Sequence, residues 1–180
     1  LAAFRRSVLT IHGIPWTNTL AVDDHGQALY MGVSVVPNIP AERLKECLDP
    51  ASANLGLPGL DGSRAACDWH SDADAAQAGI IPSARLPILQ RNDFVQNSND
   101  SAWMTNPAAP LKGFSPLVSR EDVPLSLRAR FALGRLSAHA DSVWSEAFLQ
   151  DMVTDNRVHL ADLVIDDLQA FCRTLDAGDS

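Results

Sequence analysis

No stretch of this chain is apolar for long enough to span a bilayer as a helix. Basic residues are scarce: 14 Lys and Arg stand against 22 Asp and Glu, a net charge of −8 that disfavours binding to a nucleic-acid backbone or an anionic membrane surface. The simple catalytic signatures are missing. There is no G-x-S-x-G, no H-E-x-x-H, no phosphate-cradling glycine loop and no C-x-x-C, so the plainest forms of hydrolase, zincin, nucleotide and thiol-redox site are excluded. Internal repeats and low-complexity tracts are absent too. The chain also lacks an initiator methionine. It opens at Leu1 on what reads as the last turns of a helix, so we expect an internal fragment of a longer polypeptide, about which the absence of a targeting signal says nothing.

What is present is ordinary globular composition, 46% apolar and 20% charged over 180 residues, which suits one domain with a sizeable core. The fold class expected is α+β. Residues 1–13 read as a helix end and 14–40 as a β-hairpin. In the hairpin, Asp23-Asp24-His25-Gly26 supplies the turn between Thr19-Leu20-Ala21-Val22 and a second β-rich run through Tyr30, Val33, Val35 and Val36. Near-continuous apolar runs predict strands covered on both faces. Residues 41–93, broken repeatedly by Pro and Gly, read as a long irregular excursion. Helical spacing returns over 126–176. Ser145 is placed as an N-cap, and a last helix carries Leu160, Leu163, Val164, Leu168, Phe171, Cys172 and Leu175 on one stripe, which predicts a buried thiol at Cys172.

Three features invite chemistry. Cys47 and Cys67 bracket a loop; bonded, they would stabilise the fold by about 3 kcal/mol through chain entropy and imply an oxidising compartment, but the residues alone leave the pairing open. A zinc site from Cys47, Cys67 and His70 has no fourth ligand at sensible spacing. Asp68, Asp72 and Asp74 miss the glycine and glutamate of a calcium loop, so a solvated acidic turn is the better reading.

The third is the run Phe94-Val95-Gln96-Asn97-Ser98-Asn99-Asp100-Ser101. It is predicted to enter as a strand over 94–107 and to dissolve into side-chain amides, which compete with regular backbone pairing. A polar surface loop is the plainer alternative. A carboxamide such as that of Asn99 can donate to a developing oxyanion. Arg128, at a helix start, can orient neighbouring carbonyls or carboxylates, though from the residues alone a solvent-facing helical charge is the favoured reading. The five histidines have no local nucleophile partner and read as structural or solvated.

Several segments together resemble one family. They are Pro15-Trp16-Thr17-Asn18-Thr19-Leu20-Ala21-Val22-Asp23 with Gly26 and Tyr30, Asp61-Gly62-Ser63-Arg64-Ala65-Ala66-Cys67-Asp68-Trp69, Arg85-Leu86-Pro87, and Val95 to Ser101 with Thr105-Asn106-Pro107. The set is similar to the large subunit of the penicillin amidase (penicillin acylase) family, in the branch of acyl-homoserine-lactone and aculeacin-type acylases. The resemblance implies part of an N-terminal-nucleophile hydrolase αββα sandwich, processed from a precursor exported to the periplasm or beyond the cell. It implies hydrolysis of N-acyl amides by the N-terminal serine of the large subunit, which lies outside this sequence, so the fragment alone is expected to be inactive. Asn99 matches an oxyanion-hole asparagine, Arg128 a site-supporting arginine, Trp16 a residue of the acyl pocket, and Cys47 with Cys67 a disulfide of the branch. Thr17 departs from the pattern, which has an aliphatic residue there. Neither cofactor nor metal is implied. The implied partners are the small subunit, the rest of the large subunit and a small-molecule acyl amide, with no nucleic acid and no membrane span. The competing expectation is a non-catalytic fragment that binds acyl groups or packs on a partner.

Overall fold

A computed structural model describes residues 1–57, 59–139 and 142–176. It divides into two compact units, Leu1–Pro124 and Leu125–Ser180, the boundary falling where helical spacing begins in the sequence. The elements are helices and one small antiparallel sheet, an α+β mixture.

In the first unit, helix α1 (Ala2–Ile11) leads into a three-stranded sheet of order β1-β2-β3, with β1 Thr19–Val22, β2 Ala28–Met31 and β3 Ile88–Arg91. The hairpin between β1 and β2 pairs Thr19 with Met31 and Val22 with Ala28. Its turn is built as expected of an Asp and a Gly. The Asp23 carboxylate accepts from the backbone N–H of His25 and of Gln27, both at 3.0 Å, and Gly26 takes φ 73°, a conformation that side chains rarely adopt. Coverage on both faces holds for the central strand, whose four residues are all buried, but not for β1, an edge strand that alternates and leaves Leu20 and Val22 exposed. The expected second run past Gly32 is not continuous strand either: beyond Met31 the chain makes only isolated bridges, Ile14 to Ser34 and Pro37 to Ile80.

The region read as irregular is more ordered than the sequence suggested. It holds α2 (Ala41–Cys47), α3 (Pro50–Asn54), short 3₁₀ turns at Ala65–Cys67 and Ser83–Arg85, and strand β3. These elements are too short to express a period. Helix α3 is instead specified by its cap: the Asp49 carboxylate accepts from Ser52 N–H at 2.8 Å with Pro50 in the first turn, and the same bond pulls the Asp49 pKa down.

Two apolar clusters organise the unit. Leu29, Met31, Val33, Ile81 and Leu86 are buried together beneath Val8 and Leu9 of α1. Ile39, Cys47 and Cys67 form the second, flanked by Leu44, Leu60 and Leu117. Cys47 and Cys67 are disulfide-bonded across a Cα separation of 5.6 Å, the pairing that the resemblance implied. The acidic turn is tied down by protein groups: Asp72 accepts from Asn38 at 2.8 Å and from Arg85.

The second unit is helical. Helix α4 (Leu127–Ala138) is capped by Ser126, whose hydroxyl accepts from Ala129 N–H at 3.2 Å, and α5 (Glu146–Thr154) by Ser145 in the same way, the expected N-cap. Arg135 of α4 reaches both Asp151 and Asp155 while its guanidinium lies over the rings of Phe131 and Phe148, a fork and a stacking surface in one side chain. Helix α6 (His159–Asp176) begins with His159 against the Phe131 ring at 5.5 Å. The expectation of a buried thiol on α6 is corrected: Cys172 is exposed, as are Leu163, Val164, Leu168 and Phe171. The amphipathic period is present, but its apolar face is left uncovered.

Replacing Cys47 and Cys67 by alanine frees a loop of sequence separation 20. We expect a loss of about 3 kcal/mol, from loop-closure entropy regained by the unfolded chain. It is read as a lowered urea midpoint, with a slope that rises because the unfolded chain without the bond is less compact; an unmoved midpoint contradicts it.

Candidate active site

The expected strand over 94–107 is not formed. The sheet ends at Arg91, and the chain continues as a loop containing one 3₁₀ turn at Ala102–Met104. The reason is the density of amides, which satisfy backbone groups that a neighbouring strand would otherwise satisfy. Asn106, 1% exposed, donates from Nδ2 to Phe94 O at 2.8 Å and to both Asp93 carboxylate oxygens at 3.2 Å, while its Oδ1 accepts from Ala108 N–H at 2.9 Å. Gln96 closes the next rung, its N–H donating to Thr105 O at 3.1 Å and its Nε2 to Met104 O at 3.2 Å. The two ends of the segment are thereby cinched into a loop whose tip is Asn97 to Asp100.

Asp93 anchors the base of that loop. Arg91 grips it with two parallel bonds, Nε to Oδ1 at 2.8 Å and Nη2 to Oδ2 at 2.7 Å. These bonds chiefly, aided by a backbone N–H and the Asn106 amide, hold the Asp93 carboxyl far below the usual carboxylate range against a smaller opposing effect of burial.

At the tip, Asn99 adopts φ 56°, a left-handed conformation that Asn tolerates better than most side chains. Its N–H donates to Asn97 Oδ1 at 2.9 Å. The residue is exposed, and the adjacent Asp100 lines a cavity of about 400 Å³. The apolar walls of that cavity include Pro15, Trp16, Val36, Leu60 and Leu117, and Tyr30 and Asn18 contribute polar atoms. Trp16 stands with 82% of its surface open, on the segment leading into β1. Tyr30 is buried in β2, and that burial raises its pKa, so the hydroxyl stays protonated as a donor.

The sequence-derived candidates are therefore distributed as follows. Trp16 and the loop carrying Asn99 meet around one apolar cavity in the first unit, and an Asn18–Asn97 bond of 3.0 Å joins their supports. The Cys47–Cys67 disulfide lies in the cluster against which the cavity residues Leu60 and Leu117 pack. Arg128 belongs to the second unit, in the first turn of α4, with an exposed side chain. Sequence reasoning did not single out Asn18, Tyr30, Asn97 or Asp100. The signal for Asn97 was its position two residues before Asn99, the spacing at which an Asn side chain accepts a backbone N–H. Among the described residues no group of three His, Cys, Asp or Glu side chains is placed to hold a metal ion.

An apolar cavity with a few convergent polar groups is the form that small-molecule binding sites commonly take. The penicillin amidase family model matches residues 1–179, and the chain belongs to that family. It is 58% identical to the acyl-homoserine lactone acylase PvdQ of Pseudomonas syringae pv. syringae over 99% of this chain and 23% of that protein. Identity to the acyl-homoserine lactone acylase PvdQ of Pseudomonas putida is 55%, over 98% of this chain and 22% of the relative. Aculeacin-A acylase of Actinoplanes utahensis is 41% identical over 93% of this chain and 23% of its own length. The chain thus spans about a quarter of the curated relatives it matches.

Because the folded Asp93 carboxyl titrates below its unfolded value of about 3.9, its contribution to stability is complete above about pH 4 and fades as pH falls through the folded pKa. Asp93→Asn should therefore lower the urea midpoint at neutral pH, with a difference from wild type that narrows on acidification. A difference that stays constant or widens on acidification contradicts this role.

Proposed function

We propose that this chain is the part of an N-acyl amide hydrolase that supplies the acyl pocket and one oxyanion donor. The observation that supports the reading is the placement of Asn99 at a constrained loop tip beside the apolar cavity lined by Trp16. Family membership and relatives named as acylases give it the reaction class. The fold in which it acts is the N-terminal-nucleophile αββα sandwich implied by the family, made from a processed precursor whose other segments provide the small subunit and the nucleophilic serine.

In this mechanism the serine hydroxyl attacks the substrate's amide carbonyl and passes its proton to the serine's own α-amino group. The Asn99 carboxamide donates to the negative oxygen of the tetrahedral intermediate, and a backbone N–H from elsewhere in the large subunit completes the oxyanion hole. The carbon–nitrogen bond then breaks, the amine leaves with the proton, and water hydrolyses the acyl ester to release a carboxylic acid and regenerate the serine. Trp16 and its neighbours hold the acyl chain away from water. The substrate class is an N-acyl homoserine lactone or a related acyl amide. The disulfide supports an exported location, since such bonds persist in oxidising compartments.

In the complete processed enzyme, Asn99→Ala should lower kcat about 10²–10³-fold, the usual cost of one oxyanion donor. Steady-state kinetics on N-acyl homoserine lactones of graded chain length, with penicillin G and a lipopeptide amide alongside, check both the residue and the substrate class. Near-normal turnover by the variant refutes the role of Asn99, and absence of acyl-homoserine-lactone and lipopeptide hydrolysis by wild type refutes the substrate class.

A further inference from the structure

Asn99 sits at φ 56° on the exposed tip of a loop, a conformation open to Asn but one of several it could take, so what selects it matters. The Asn97 carboxamide selects it by bonding across the turn in both directions. Its Oδ1 accepts the N–H of Asn99 at 2.9 Å, and its Nδ2 donates to the carbonyl of Asp100 at 3.1 Å. The second bond fixes which end of the amide faces which way. A carbonyl only accepts, so the nitrogen must point to Asp100 and the oxygen to Asn99.

That same oxygen takes a second donor. Asn18 Nδ2, on the segment that enters β1, reaches Asn97 Oδ1 at 3.0 Å. With its nitrogen committed there, Asn18 turns its Oδ1 the other way, where the Tyr30 hydroxyl donates to it at 2.7 Å. Tyr30 is 1% exposed in the central strand, the least yielding part of the sheet. Gly32 leaves the Tyr30 hydroxyl room: a Cβ there would stand 3.0 Å from it, close enough that a neighbour would have to shift. Reversing any amide in this series opposes donor to donor or acceptor to acceptor. The order Tyr30, Asn18, Asn97, Asn99 is therefore directional, running from buried strand to exposed tip.

We propose that Asn97, Asn18 and Tyr30 are positioning residues that fix the loop conformation in which Asn99 presents its carboxamide to the reacting carbonyl. The inference rests on the reading of Asn99 as an oxyanion donor. None of the three is required to touch the substrate's reacting atoms; they act through Asn99. The segment bearing Asn18 also carries Trp16, so the acyl wall and the oxyanion donor share one support. A disturbance at Asn18 or Tyr30 reaches both.

The test is a double-mutant cycle in the complete processed enzyme, with N-dodecanoyl homoserine lactone as substrate. Asn97→Ala should lower kcat about tenfold or more while KM changes by no more than about twofold, the pattern of an interaction made mainly in the transition state. Added to Asn99→Ala, it should cost nothing further, because the donor it positions is already gone. Asn97→Asp keeps an oxygen for Asn99 N–H and Asn18 Nδ2, and should restore part of the kcat lost in Asn97→Ala. Tyr30→Phe should show a smaller loss with the same dependence on Asn99, and these two conservative variants carry the test if Asn97→Ala fails to fold or mature. Equal fold-losses in the wild-type and Asn99→Ala backgrounds, or an unchanged kcat in all three variants, overturn the positioning role and leave the oxyanion reading standing. Normal turnover by Asn99→Ala overturns both.

Discussion

The first unit depends on side-chain carboxamides standing in for backbone partners. After Arg91 the chain leaves the sheet, and every N–H and C=O that loses a strand neighbour must be satisfied or stay wet. Asn106 and Gln96 satisfy the base of the loop, and Asn97 satisfies its tip. Each amide has a donor and an acceptor, so it replaces a peptide group without requiring a parallel strand. The consequence is a loop that is exposed yet conformationally specified. A loop held only by solvent would sample many conformations and present its tip residue in none of them for long.

The cavity is built on the same logic of remote support. Its wall at Leu60 belongs to the region enclosed by the Cys47–Cys67 disulfide, and Leu60 bridges back to Leu48 while Asp61 N–H donates to Cys47 O at 2.8 Å. Disulfide, apolar cluster and cavity wall are thus one connected block. On the other side the wall is the segment leading into β1, anchored through Asn18 to Tyr30. The cavity and the amide-rich loop in this way draw on two supports, one covalent and one a buried strand.

How far the sequence revealed this follows from what each element depends on. The hairpin turn was legible because Asp23 and Gly26 are chemically committed to it, and the cap at Ser145 for the same reason. Helices α2 and α3 and strand β3 were not, since segments of four to seven residues cannot display a period. The segment after Phe94 was read as a strand because its first two residues are apolar, whereas the amides that follow decide its conformation. Cys172 was placed in a core from a stripe that the sequence does contain; exposure depends on what packs against α6, which no local pattern encodes. Asn99 stood out for its carboxamide and Trp16 only through the family resemblance, and that Trp16 and Asp100, the neighbour of Asn99, line one cavity is a tertiary fact. The Asn18–Asn97 bond joins residues 79 apart and has no sequence signature.

The central claim is that a constrained loop presents Asn99 to the oxyanion of an acyl group held against Trp16. A crystal structure of the complete processed enzyme with an alkylboronic acid, which forms a tetrahedral adduct on a nucleophilic serine, tests it most directly. The account predicts Asn99 Nδ2 within hydrogen-bonding distance, about 2.7–3.1 Å, of a boronate oxygen, and the alkyl chain against Trp16. A boronate oxygen bonded to other donors while Asn99 points away, or an alkyl chain in a different cavity, would contradict it.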